Sequence, residues 1–157
     1  ALPILFPMHK KTQRFIKDIN KFYLNNKALW ELDYDVDGFK WIDADNKDQS
    51  IVSFIRRGKS KEDTLIFICN FTSVVRYDFR IGVPLQSDYI EVFNSDDEKY
   101  GGSGQVMSEV NLVPEEIEFH NQPYSIQIKV PPMATLILGI EKGGENNYES
   151  ITCSIRG

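Results

Sequence analysis

The residues most suggestive of chemistry are carboxylates near the start of the chain. Asp33, Asp35, Asp37 and Gly38 have the spacing with which an EF-hand calcium loop begins. Such a loop needs a bidentate Glu at its twelfth position, which here is Ala44. The sequence therefore favours a solvated acidic turn, whose Asp side chains accept hydrogen bonds from nearby backbone N–H groups, and predicts no metal site.

Large aromatic residues crowd the same stretch. Trp30, Tyr34, Phe39 and Trp41 lie close together along the chain, beside Glu31 and the acidic residues just named. Sugars have polar rims and apolar C–H faces, so a flat aromatic platform edged by carboxylates and amides suits them. Such rings also serve as core packing where a helix meets a sheet. Residue types alone favour this second interpretation.

The remaining chemistry-bearing residues form no recognisable set. The chain has two histidines, His9 and His120, and two cysteines, Cys69 and Cys153. Their positions define no Ser/His/Asp or Cys/His arrangement, and neither cysteine has a C-x-x-C partner. We expect no zinc, no cofactor and two free thiols, as in a reducing cytosol. The glycine-rich run at 100–104 lacks the lysine and following helix of a P-loop, so it predicts a flexible or tight loop.

One element that could position these residues is an amphipathic helix near the N-terminus. Apolar side chains recur at i, i+3, i+4 and i+7 over 8–23, and most basic side chains fall on the opposite face. Pro7 precedes the pattern and Asn25 and Asn26 follow it, as start and stop signals do. The apolar stripe has to pack against another surface.

After about residue 38 the pattern is that of short strands separated by turn signals. The run at 64–71 is nearly continuously apolar, as in a strand buried on both faces, whereas 124–130 alternates as a half-buried strand does. Little helix occurs between the runs, which argues against a parallel α/β sheet and for a mainly β, antiparallel sandwich or barrel. The predicted strands are 50–57, 64–71, 76–80, 89–93, 124–130 and 133–140.

Length and charge exclude several classes of protein. A chain of 157 residues fits one domain, or one domain plus a fragment. With 18 basic and 23 acidic residues the net charge is −5, the wrong sign for a general binder of nucleic acid or of an anionic membrane. The longest apolar stretch is far short of the ~20 residues of a membrane-spanning helix. Residues 1–7 lack a basic n-region and contain two prolines, so we do not expect a signal peptide.

Eight short motifs follow one another in a specific order. They are ALWELD (28–33), GFKWI (38–42), FIRRG (54–58), CNFT (69–72), RIGVP (80–84), YGGSG (100–104), PYS (123–125) and PPMATL (131–136). In this series the chain resembles the C-terminal end of bacterial 1,4-α-glucan (glycogen) branching enzymes, members of the α-amylase superfamily. The resemblance covers about residues 8–140.

The resemblance implies a fold and a division of the chain. Residues 1–26 would hold the last helix of a (β/α)8 catalytic barrel, with its apolar face on a barrel absent from this chain. Residues 27–141 would form a C-terminal antiparallel β-sandwich of Greek-key type, and 142–157 a tail or an extra strand. The family's catalytic residues lie on barrel strands upstream, so no catalytic residue is carried over.

The resemblance also implies a role. The domain would cap the barrel of a cytoplasmic enzyme that transfers α-1,4-glucan chains to a 6-hydroxyl without metal or cofactor. Its partners would be that barrel and α-glucan or glycogen. Trp41 matches a family tryptophan associated with glucan contact, with Phe39 beside it. Trp30 is a weaker candidate, expected in the core between helix and sandwich. Asn121 stands where the family usually has a glycine after the histidine.

Two rival functions remain open. The chain could be a self-standing α-glucan-binding module, which would bind maltooligosaccharides without the barrel and lose that affinity in Trp41→Ala. A third interpretation is a calcium-binding β-domain built on residues 33–37, whose melting temperature would respond to calcium or chelator.

Overall fold

The computed structural model describes residues 6–107 and 110–142. The first five residues and the predicted tail after residue 142 lie outside this range. The elements within it are α1 (Pro7–Asn25), β1 (Phe39–Asn46), β2 (Ile51–Arg57), β3 (Thr64–Asn70), β4 (Arg76–Val83), β5 (Tyr89–Asn94), β6 (Tyr124–Val130) and β7 (Ala134–Ile140), with short 3-10 helices at Lys27–Leu29, Val36–Gly38 and Glu98–Tyr100. None of the helices in the described ranges is both long and apolar enough to cross a membrane.

The strands form two antiparallel sheets. A five-stranded sheet has the order β1-β2-β3-β7-β5, and a two-stranded sheet pairs β4 with β6. The predicted mainly β, antiparallel fold is therefore confirmed. The late strand β7 lies between β3 and β5, so the sheet depends on contacts between distant parts of the chain.

The hydrophobic core lies between the two sheets. The register aligns Ile55, Ile66 and Leu138 in one row across β2, β3 and β7, and all three are fully buried. Ile81 of β4 and Ile126 of β6 belong to the same core cluster from the opposite sheet. Five of the seven positions of β3 are buried, including both faces, which confirms the sequence prediction for this strand.

Ser53 offers a test of this core. Its fully buried hydroxyl has no hydrogen-bond partner among the described residues, whereas the equally buried Ser125 hydroxyl accepts from Arg80 Nη1 at 2.8 Å. We expect Ser53→Ala to raise the free energy of unfolding by about 1 kcal/mol, because an unsatisfied buried hydroxyl is removed. The matched variant Ser125→Ala should lower it. Urea denaturation measures both, and a destabilised Ser53→Ala would contradict the assignment.

Helix α1 lies on the outer face of the five-stranded sheet. The Phe22 and Phe93 ring centroids are 5.4 Å apart, and Phe15 lies 5.2 Å from Tyr100. The hydroxyl of Tyr100 donates to Asp18 Oδ2 at 2.9 Å. Burial and this carboxylate raise the pKa of Tyr100. The expectation that the apolar face of the helix packs on an absent barrel is wrong for Phe15 and Phe22, because the sheet itself presents an apolar outer face.

Part of the helix remains uncovered. Met8, Ile16 and Tyr23 are 57%, 51% and 47% exposed. The helical period predicted an apolar stripe, and the structure divides it between a side in contact with the sheet and a side that reaches solvent.

Strand β1 carries two further carboxylates, which follow the acidic stretch 33–37 in the sequence. Asp43 and Asp45 lie on β1, an edge strand of the larger sheet. Its register shifts between Trp41 and Asp43 and again between Asp43 and Asn46. Charged side chains and bulges are usual on edge strands, because they discourage pairing with another chain. These features hide the alternation by which a strand is recognised in the sequence.

Candidate functional site

The outer face of the five-stranded sheet carries a row of aromatic side chains beside helix α1. Trp41 of β1 lies opposite Phe54 of β2, and Phe54 lies opposite Phe67 of β3. Directly opposed residues point to the same face of a sheet, so the three rings share one surface. Phe39, two positions before Trp41, joins them on that face. We call these four residues the aromatic row.

The rings contact one another in fixed orientations. Phe54 and Phe67 stack almost parallel at 4.8 Å, with 7° between their planes. Trp41 stands edge-on to both Phe39 and Phe54, at centroid distances of 5.1 and 5.7 Å. Edge-to-face and offset-stacked arrangements are the favourable ones for aromatic pairs. The indole is therefore held from two sides.

Exposure increases along the row towards the sheet edge. Phe54 and Phe67 are half-buried, and Phe67 also packs with the cluster under helix α1. Phe39 is 37% exposed and Trp41 52% exposed. A large indole held in place by neighbouring rings yet half open to solvent is a rigid apolar surface available for a ligand.

A charged residue organises the polar side of the row. Arg56 lies opposite Phe39 in the register of β1 and β2. Its Nη2 donates to the carbonyl of Leu29 at 2.9 Å and to Asp33 Oδ1 at 2.7 Å. Glu31 accepts from the backbone N–H of Lys59 at 2.8 Å. These bonds fix the acidic segment after α1 against the sheet, beside the row.

Trp30 takes a different position from the one expected. It is 42% exposed and does not lie in the core between helix and sandwich. Its ring forms no aromatic pair with the aromatic row among the described residues. The buried residue at this junction is Ala28, because the 3-10 helix at Lys27–Leu29 turns that smaller side chain inward.

The carboxylates make local contacts instead of converging. Asp35 Oδ1 accepts from the backbone N–H of Asp37 at 2.9 Å, and Asp33 is paired with Arg56. Residues 33–37 thus have the contacts of a solvated acidic turn. Within 6–107 and 110–142, no three His, Cys, Asp or Glu side chains are close enough together to hold a metal ion.

The glycine-rich run is a tight loop around a carboxylate. Asp96 is buried and accepts from the backbone N–H and the hydroxyl of Ser103 and from the N–H of Gln105, at 2.7–3.0 Å. Gly101 and Gly104 have φ of +94° and +80°, a region that favours glycine. Of the two alternatives predicted for this run, a flexible or a tight loop, the structure has the tight one.

His120 contacts groups on both sheets. Its Nδ1 accepts from the backbone N–H of Gly82 at 3.3 Å, and its Nε2 lies 3.4 Å from Asp43 Oδ2. Burial lowers the pKa of His120, while the Asp43 carboxylate opposes the shift. Sequence reasoning missed this contact, since the two residues are far apart in the chain. It also missed Phe54 and Phe67, because their place beside Trp41 depends on the pairing of β2 with β1, a strand that the sequence did not predict.

Together, the fold and the site define a class: an antiparallel β-sandwich domain with an aromatic surface site. The chain belongs to the α-amylase C-terminal all-β domain family, whose model matches residues 41–141. The expected resemblance to branching enzymes is confirmed by several relatives.

These relatives share half or more of their aligned residues with the chain. It is 54% identical over 136 residues to a 1,4-alpha-glucan branching enzyme GlgB of Clostridium perfringens, covering 87% of the chain and 21% of the relative. It is 58% identical to the GlgB 1 of another strain of that species, covering 84% and 19%. The Halothermothrix orenii GlgB is 50% identical, covering 83% and 21%. The chain thus spans about a fifth of the length of these relatives.

Proposed function

We propose that this chain is the non-catalytic C-terminal domain of a cytoplasmic glycogen branching enzyme, in which it contacts α-glucan through Trp41. The parent enzyme would transfer α-1,4-glucan chains to a 6-hydroxyl and so make α-1,6 branches. The relatives that carry the name 1,4-alpha-glucan branching enzyme support the parent activity. The single observation that supports the glucan contact is the half-exposed indole of Trp41, held edge-on by Phe39 and Phe54.

The shape of the aromatic row suits a linear sugar chain. It crosses from β1 to β3, two strand spacings or about 10 Å. The apolar C–H faces of successive sugar rings would lie on Trp41 and Phe39, while their hydroxyls remain in water. A rigid aromatic surface lowers the entropy lost on binding, because the rings are already ordered.

A second part of the role is to cap the catalytic barrel. The uncovered side of α1, with Met8, Ile16 and Tyr23, would face that barrel. An exposed apolar surface of this kind is typical of a site at which another protein surface packs. The polypeptides of the branching-enzyme relatives extend far beyond the region that matches this chain, so a barrel could belong to the same polypeptide.

Trp41→Ala tests the glucan contact. We expect its affinity for a maltooligosaccharide to fall at least tenfold, or about 1.4 kcal/mol, because the main apolar contact is removed. Amide NMR titration at millimolar sugar measures the dissociation constant. Trp30→Ala is the matched control: it removes an exposed indole outside the row and should leave affinity unchanged. Equal affinity of Trp41→Ala and the wild type would contradict the proposal.

The same titration separates the two candidate roles. Wild-type chain that binds maltooligosaccharide without the barrel would support the glucan contact, which the proposed domain shares with the second candidate, a self-standing glucan-binding module that uses the same exposed aromatic row. Wild-type chain with no response at millimolar sugar would favour capping alone. In either case we expect no change in the iodine spectrum of amylose incubated with the chain, and a change would contradict the non-catalytic role.

A further inference from the structure

The turn that carries His120 is held in an unusual conformation. Phe119 and Gln122 exchange two backbone hydrogen bonds, of 3.1 and 2.9 Å, around a two-residue loop. His120 and Asn121 have φ of +51° and +57°. Loops of this type prefer Asn-Gly, and histidine, like asparagine, is one of the non-glycine residues enriched at positive φ. The turn therefore accommodates His120 at its first position.

The imidazole bridges the two sheets at this point. It accepts from the N–H of Gly82 on β4, which belongs to the smaller sheet, and faces the carboxylate of Asp43 on β1, which belongs to the larger one. Both contacts suit the neutral tautomer with its proton on Nε2: the bare Nδ1 accepts, and Nε2–H donates towards Asp43. The side chains of His120 and Asp43 are only 18% and 23% exposed.

Asp43 lies at the irregular point of β1. The register shifts between Trp41 and Asp43, so the extra residue of the bulge comes directly after the tryptophan. A bulge bends its strand and redirects the neighbouring side chains. Asp43 is also held locally, since its Oδ1 accepts from the N–H of Asp45 at 3.1 Å. The bridge from His120 is thus attached to the bulge beside the aromatic row.

We propose that His120 is a positioning residue for the aromatic row: its neutral imidazole ties the β1 bulge to β4 and so fixes the direction of the Trp41 side chain. This inference rests on the proposed glucan site and adds a dependence on pH. A protonated Nδ1 cannot accept from Gly82, so acid breaks the bridge at β4. The row then loses its fixed geometry and binds glucan more weakly.

The charges around the imidazole leave Asp43 as its main electrostatic partner. Asp45, further along β1, is paired with Lys47 at 3.1 Å. Arg80 of β4 is paired with Glu115 at 3.2 Å. Since burial lowers the pKa of His120 below its usual 6.5, the folded protein takes up this proton at a lower pH than the unfolded chain. Stability from the bridge is complete above about pH 6.5 and is lost as the pH falls towards the folded pKa.

The indole N–H resonance of Trp41, assigned with Trp41→Phe, reports the bridge without any sugar. We expect it to shift in a single step with a midpoint below about pH 6.5 in the wild type, and to show no such step in His120→Asn. Asparagine tolerates positive φ, so this variant keeps the turn and removes only the imidazole. His9→Asn is the matched control, since it removes the exposed histidine of α1 and should leave the step intact.

A maltooligosaccharide titration at about pH 7.5, and again at a pH below the measured midpoint of the indole step, measures the consequence for binding. We expect wild-type affinity to fall on the order of fivefold at the lower pH, and His120→Asn to bind weakly at both. An indole step that persists in His120→Asn would overturn the bridge, as would unchanged affinity of this variant at both values. If the Trp41 indole of the wild type titrates but the wild type binds no sugar, the proposed function would be overturned and the His120 bridge would stand.

Discussion

Asn70→Asp is expected to destabilise the protein by about 3–5 kcal/mol, because it places an uncompensated charge at a buried site. Asn70 is 2% exposed. Its Nδ2 donates to the carbonyls of Val74 and Pro131, both at 2.9 Å, and its Oδ1 accepts from the N–H and hydroxyl of Thr72. An aspartate turns both donors into acceptors, which then face two carbonyl oxygens.

Chemical denaturation at neutral pH measures this loss. The matched control is Asn20→Asp, the same chemical change on the exposed side of α1, which should stay within about 0.5 kcal/mol of the wild type. The loss in Asn70→Asp should shrink in acid, because a protonated carboxyl regains a donor. A variant as stable as the control would show that the Asn70 bonds do not hold the ends of β3 and β6 together.

Gly102→Ala is the second change with a large expected effect. The three atoms closest to an added Cβ all belong to the backbone of Asp96, at distances that no methyl group can occupy. Relief requires the loop around the buried Asp96 carboxylate to open. We expect a loss of at least about 2 kcal/mol, because a backbone clash cannot be relieved by rotating a side chain.

The opened loop should also weaken the packing of helix α1 against the domain. Tyr100, carried by this loop, contacts Phe15 and Asp18 of α1. We therefore expect faster amide hydrogen exchange in α1 of Gly102→Ala. Gly139→Ala is the matched control: its added Cβ meets side-chain methyls of Val92 and Leu65 and no backbone atom, so the loss should be smaller than that in Gly102→Ala. Equal stability of the two variants would contradict the predicted clash.

Much of this fold follows from residue patterns. The period of 8–23 predicted α1, and six of the seven strands were predicted close to their observed limits, because their apolar residues repeat with the period of the element. Strand β1 was missed because bulges interrupt its alternation and its carboxylates resemble those of a turn. Turn chemistry also predicted the tight loop at 100–104.

The site could be predicted only in part. Trp41 and Phe39 were candidates from their residue types and from the family resemblance. That Phe54 and Phe67 complete the row depends on strand register, which a single sequence does not specify. The expectation that Trp30 lies in the core was wrong, because the short 3-10 helix turns the side chain of Ala28 inward instead. Residue types alone do not specify that geometry. Contacts between distant residues, such as His120 and Asp43, leave no local signal.

The insertion of β7 between β3 and β5 has a consequence for how the chain reaches its native state. Cys69 on β3 and Thr135 on β7 are neighbours although 66 positions separate them, and 82 positions separate Asp18 from Tyr100. Contacts of such long range slow folding. As the chain leaves the ribosome, one edge of the apolar strand β3 stays unpaired until β7 has been made. Through that interval the nascent domain exposes a template for aggregation, and β7, the last strand within the described residues, removes it.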